Sequence, residues 1–163
     1  VGRFQPFHNG HLMVIQGMRK LCGRIIIGVG STDGASTKAN PFSAEERHEM
    51  ISAALLDADI PDADIYDIPE TTDHSDWVDA VLKTTGPIDT VWTGNEVVGR
   101  LFKEKGINVQ KIKEVPGISA TLVRERLLNG GEWDALVPDG VASVLRRIGA
   151  MGRMKELKGL QPK

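Results

Sequence analysis

Short β-branched runs alternate with helix-length amphipathic segments along this chain, and that alternation restricts the fold more than any other feature. Ile25-Ile26-Ile27-Gly28-Val29 is a continuous apolar run of the kind found in strands buried on both faces. Before it, Leu12, Ile15, Met18 and Cys22 recur at helical spacing, with Gly23 as a stop. After it, residues 30–40 are polar and read as a loop. Pro41-Phe42-Ser43 then leads into a helix in which Ser43 and Glu46 have capping-box spacing, and Met50, Ile51, Ala54 and Leu55 form the buried stripe. Residues 65–68, 90–93 and 107–115 read as further strands. Helices carrying Trp77, Val78, Val81 and Leu82, then Val97, Val98, Leu101 and Phe102, separate them. Beyond these come only helices, over residues 119–128, 138–148 (with Pro138 in the first turn) and 151–157.

Strands that alternate with helices imply a parallel sheet covered on both faces. The predicted architecture is α/β, a Rossmann-like, doubly wound, five-stranded parallel sheet with a C-terminal helical tail. Its first strand leads into Arg3, and part of it is expected to lie before Val1. At 163 residues the chain suits one domain, with a β/α core over 1–116 and helices over 117–163. A net charge of −2 argues against nucleic-acid and anionic-membrane partners. No apolar run is long enough to span a bilayer, and no secretory signal pattern opens the chain. The single cysteine, Cys22, lies on the apolar face of the first helix and fits a reducing, cytoplasmic setting.

In such sheets ligands gather at the carboxyl ends of strands. Gly2-Arg3-Phe4-Gln5-Pro6-Phe7-His8-Asn9-Gly10-His11 falls there, between the first strand and the first helix. A helix start offers free N–H groups and the positive end of the macrodipole to a phosphate. Gly10, lacking a Cβ, is expected to let a phosphate approach, and His8 and His11 to donate hydrogen bonds to it. Gly117-Ile118-Ser119-Ala120-Thr121-Leu122-Val123-Arg124 forms a second helix start. Ser119 can cap it, and Arg124 supplies a planar, permanently charged fork. With Arg3 and the histidines these groups make a cationic clamp suited to phosphoryl or nucleotidyl transfer, where positioning and charge stabilisation dominate.

The two segments together resemble the nucleotidyltransferase superfamily marked by His-x-Gly-His and Ile-Ser-x-Thr-x-x-Arg. More narrowly, the chain is similar to the archaeal type of nicotinamide-nucleotide adenylyltransferase, with support from residues 40–47, Trp77-Val78 and Thr93-Gly94-Asn95. That resemblance implies adenylyl transfer from ATP to nicotinamide mononucleotide (NMN), with Mg²⁺ accompanying ATP, and assembly as a homo-oligomer, often a hexamer. It implies that Arg3, His8, His11 and Arg124 are catalytic. Phe4, Gln5, Gly10, Ser119 and Thr121 would join them around ATP, while Trp77 and Asn95 would contact NMN. Trp77 also lies on an apolar stripe, so ring stacking and core packing both stay open. One departure stands out: relatives carry an arginine where this chain has Ala39, with Lys38 the nearest substitute. Other acceptors, flavin mononucleotide or phosphopantetheine, fit the same clamp, and a nucleotide-sensing domain fits the same fold. A zinc site does not suit the residues, because His48 and His74 lie in other segments and no cysteine pair accompanies them.

Overall fold

A computed structural model describes residues 1–31 and 36–159. The elements run α1 (Asn9–Leu21), β1 (Ile26–Val29), α2 (Ala44–Asp57), β2 (Asp64–Asp67), α3 (His74–Thr85), β3 (Thr90–Thr93), α4 (Glu96–Glu104), β4 (Asn108–Lys111) and α5 (Ala120–Asn129). A 3₁₀ turn (Asp134–Leu136), α6 (Asp139–Arg147) and α7 (Ala150–Gly159) follow. The strand–helix alternation is that of the sequence, and both strand pairs are parallel.

Among the described residues four strands form two parallel pairs, β1 with β2 and β3 with β4, where the sequence predicts five strands in one sheet. The opening segment contributes a single parallel bridge between Gly2 and Val29. Gly2 N–H donates to the Gly28 carbonyl at 3.0 Å, and Gly30 N–H donates to the Gly2 carbonyl at 2.9 Å. Extended pairing stops there because Phe4 turns into the left-handed region, at φ 51°. The last strand is also shorter than the predicted 107–115. β4 is an exposed edge along its length, so nothing beyond the span of β3 holds it extended.

Two apolar clusters hold the halves. The larger joins Phe7, Ile15, Ile27, Val29, Met50 and Ile51 to Val123, Leu127, Leu145 and Met154, so the helical tail packs on α1, β1 and α2. Cys22 packs against this cluster, as its place on the apolar face predicts. The smaller gathers Ile68, Val78, Val81, Val91 and Phe102 under β3. Ser43 and Glu46 form the expected capping box, with Ser43 N–H donating to Glu46 Oε1 at 2.9 Å and Glu46 N–H to Ser43 Oγ at 3.1 Å. Pro138 stands at the N-cap of α6 rather than inside its first turn. Among the described residues no helix is long and apolar enough to cross a membrane.

Candidate active site

A cleft of about 1090 Å³ runs between β1 and β3 from their amino ends, at Arg24 and Ile88, to their carboxyl ends, where Arg3, His8, His11, Gly94, Asn95 and Ser119 line it. The start of α1 forms one wall. His8 is its N-cap, and its Nδ1 accepts the Gly10 N–H at 3.0 Å. The His8 N–H in turn donates to Nδ1 of His11 at 3.1 Å. The two rings stack with centroids 3.6 Å apart and planes inclined by 23°. Phe4 and Phe7 pack on His11, at centroid distances of 4.8 and 5.2 Å.

This reciprocal cap sets the protonation of both imidazoles. An Nδ1 that accepts a backbone N–H carries no proton, so in each neutral ring the proton sits on Nε2. Burial pushes the His8 pKa down to about 4. Burial likewise holds His11 well below the ordinary histidine value, with the adjacent His8 adding to the effect. At neutral pH both rings are therefore uncharged donors through Nε2–H. A Cβ at Gly10 would stand 2.9 Å from Cε1 of His8, so the missing side chain makes room for the imidazole.

The second wall is the start of α5. Ser119 Oγ accepts the Leu122 N–H at 3.1 Å, so the serine is an N-cap and leaves earlier N–H groups toward solvent. Arg124 donates from Nη1 to the Gln5 carbonyl at 2.8 Å and from Nη2 to Thr121 Oγ1 at 3.3 Å. Its pKa is lowered, first by burial and then by the positive charge of Arg3. The motifs at the two ends of the sequence therefore meet, and two guanidinium groups stand close enough to repel. Such a pair is relieved by an anion placed between its members.

The other predicted site residues divide. Gln5 turns inward, is 2% exposed, and has both ends of its amide occupied by one residue. Its Nε2 donates to the Phe42 carbonyl at 3.0 Å, while its Oε1 accepts the Phe42 N–H at 2.9 Å. Phe4 is likewise buried. Asn95 lines the cleft, but its Oδ1 caps α4 by accepting from Val97 and Val98 N–H at 2.9 and 3.1 Å. Trp77 is half-buried and meets Phe102 edge-on with centroids 5.7 Å apart, so one side of the indole is core. Lys38 and Ala39 are both exposed. His48 pairs with Asp67 at 2.5 Å.

One residue that the motifs did not single out is built into the site. Arg47 is 1% exposed and reaches the strand ends beneath Arg3. The sequence holds a signal for it: Arg47, Met50, Ile51 and Ala54 share one helical stripe, so a charged residue occupies a core position.

Residues 1–126 match the family described as cytidylyltransferase-like, and the chain belongs to that family. Within it the chain groups with nicotinamide-nucleotide adenylyltransferases. It is 40% identical to the one from Methanoculleus marisnigri, over 98% of this chain and 95% of that protein. It is 37% identical to the one from Thermococcus kodakarensis, over 96% of this chain and 86% of that protein. Among solved structures, it superposes with a TM-score of 0.79 and 23% identity on a bifunctional NMN adenylyltransferase/ADP ribose pyrophosphatase from Francisella tularensis, complexed with AMP and a manganese ion. That match covers 96% of this chain and 49% of the other, so this chain spans about half of the bifunctional protein and shares its fold there.

Proposed function

We propose that this chain transfers the adenylyl group of ATP to nicotinamide mononucleotide, giving NAD and pyrophosphate. The observation that carries the reading is the His8–His11 cap. It occupies both Nδ1 atoms with backbone N–H groups and leaves two neutral Nε2–H donors on a cleft that Arg3 also lines. The likeness to relatives bearing that activity supplies the acceptor.

In this reading an oxygen of the mononucleotide phosphate attacks the α-phosphorus in line. The new P–O bond forms as the bond to the bridging oxygen breaks, and pyrophosphate leaves with that electron pair. No side chain is covalently modified. His8 and His11 donate from Nε2–H to the α-phosphoryl oxygens and the leaving group, where charge accumulates. Arg124, with the N–H groups at the start of α5, holds the β- and γ-phosphates, and Thr121 orients the Arg124 fork. Arg3 bridges the phosphates of the two substrates. By resemblance Trp77 and Asn95 contact the nicotinamide nucleotide, the asparagine from the lining of the cleft and the indole from outside that lining, through its exposed face.

Mg²⁺ enters with ATP and, when bound, neutralises charge on the triphosphate. Among the described residues no group of three or more His, Cys, Asp and Glu side chains is arranged to hold a metal, and an ion carried by phosphate oxygens and water needs none. The proposal extends to a fifth parallel strand through Gly2, supported by its paired hydrogen bonds to Gly28 and Gly30. It also includes a homo-oligomer, a hexamer by resemblance, working in the cytoplasm.

The test is an end-point assay with ATP, Mg²⁺ and, separately, NMN, flavin mononucleotide and phosphopantetheine. NAD from the nicotinamide substrate alone is expected. Product from another acceptor would keep the clamp and discard the acceptor assignment, and ATP binding with no product at all would favour a nucleotide sensor.

A further inference from the structure

Arg47 is the largest fully buried side chain of the described residues, and its hydrogen-bond partners there are all main-chain carbonyls. Nη1 donates to the carbonyls of Arg3 and Gly30, each at 2.7 Å. Nη2 donates to Ser31 at 3.0 Å, and Nε to Ser43 at 3.2 Å. Four of the five guanidinium N–H groups are thus used. The partners lie at two strand ends and at the cap of α2. Two of them adjoin backbone that L-residues avoid: Phe4, which follows Arg3, has φ 51°, and Ser31 has φ 52°. Such turns cost on the order of 1–2 kcal/mol each and persist only where neighbours hold them.

Burial lowers the Arg47 pKa, with the charge of Asp67 opposing that shift in part. Burying a cation without a bonded carboxylate is costly. The stripe it shares with Met50, Ile51 and Ala54 would accept an apolar side chain at no such cost. What the guanidinium alone provides is a rigid connection between the Arg3–Phe4 turn, which lines the cleft, and the Gly30–Ser31 turn.

We propose that Arg47 is a positioning residue: it holds the main chain of Arg3 so that the Arg3 side chain meets the phosphates. The inference rests on the adenylyl-transfer reading. It makes Arg47 act through Arg3, and a double-mutant cycle separates that role from general support of the fold. Arg47→Lys keeps the charge and loses the fork. In the otherwise native chain it is expected to lower kcat/KM for ATP by about 10²-fold, the scale of a small misplacement in the site. In an Arg3→Ala background the same change is expected to cost less than about threefold. Calorimetric affinity for MgATP should show the same non-additivity, and thermal melts establish that each protein is folded. Arg47→Gln, which retains two donors, replaces Arg47→Lys if the lysine variant does not fold.

Equal losses in both backgrounds would overturn the assignment, as would no loss from Arg47→Lys. Failure of both Arg47 variants to fold would overturn it in favour of a purely structural connection. The native chain separates this from the wider reading. NAD formed by the native chain together with additive variants sinks the positioning role alone, whereas a native chain that makes no NAD sinks the adenylyl-transfer reading and this inference with it.

Discussion

The two helix starts that face the cleft are capped by different chemistry. At α5 the cap and the donor offered to phosphate are separate residues: Ser119 accepts a backbone N–H, and Arg124 stands more than a turn further on. At α1 they are the same residues, because His8 and His11 use one ring nitrogen for the cap and keep the other as a donor. A hydroxyl cap is indifferent to pH, while an imidazole cap is released on protonation of Nδ1. The α1 end therefore couples local folding to proton balance, and the α5 end does not. The histidine end supplies neutral donors, and the arginine end supplies a permanently charged fork for the β- and γ-phosphates.

The largest effect should come from breaking the shared role at α1. His11→Ala is expected to lower kcat by about 10²–10³-fold, the usual loss when a donor to developing charge is removed. His8→Asn sharpens the point. Asparagine is a strong N-cap, so the melting temperature should hold while turnover falls by about 10²-fold. Retained turnover in His8→Asn would show that the imidazole is only a cap.

Next in size is Arg124→Lys, which keeps charge at α5 but loses the bidentate fork. Its KM for ATP should rise about tenfold or more with kcat changed less, because the fork already holds the β- and γ-phosphates in the ground state. A fall in kcat with unchanged KM would move Arg124 to the reacting phosphate.

Acid should distinguish the two ends without mutation. The His8 pKa is lowered from its unfolded value near 6.5 to about 4, so between those values the unfolded chain binds more protons than the folded one. Stability from this group is fully present above about pH 6.5 and is lost as pH falls toward 4. Proton NMR should find the His8 ring titrating near 4, with the amide protection factor at Gly10 falling over the same range while that at Leu122 stays level. A His8 midpoint near 6.5 would contradict the buried cap.

The smallest effect is expected from Ser119→Ala, about 1 kcal/mol of stability by denaturant unfolding and only a few-fold in turnover. A large loss of turnover there would make the serine a phosphate ligand in its own right.

Much of the fold is legible in the amino-acid sequence. The Ile25–Val29 run, the Ser43–Glu46 spacing and the helical stripes all report local periodicity and capping, which depend on neighbours in sequence. The His8, His11, Ser119 and Arg124 positions are legible because short motifs record them. The use made of each residue is less so. Gly10 and Gln5 have the motif positions of ligand contacts, and within the chain they make room for the His8 ring and bond the Phe42 backbone, which no motif states. Arg47 is legible only as a charge on an apolar stripe, a signal that gains meaning once its partners are known.

By itself, then, the sequence determined the order of strands and helices, the starts of α1, α2 and α5, and the type of chemistry that the two motifs could do. Those follow from side-chain periodicity, caps and donor types, all of them short-range properties. Only the tertiary structure decided that Arg124 would reach the Gln5 carbonyl, that Arg3 and Arg124 would share one region, and that both imidazoles would be driven neutral. It also decided that Arg47 would join two strand ends, through carbonyls 44 and 17 residues away in the chain at Arg3 and Gly30. Desolvation and long-range contact depend on which segments pack together, and no local pattern in the chain encodes them.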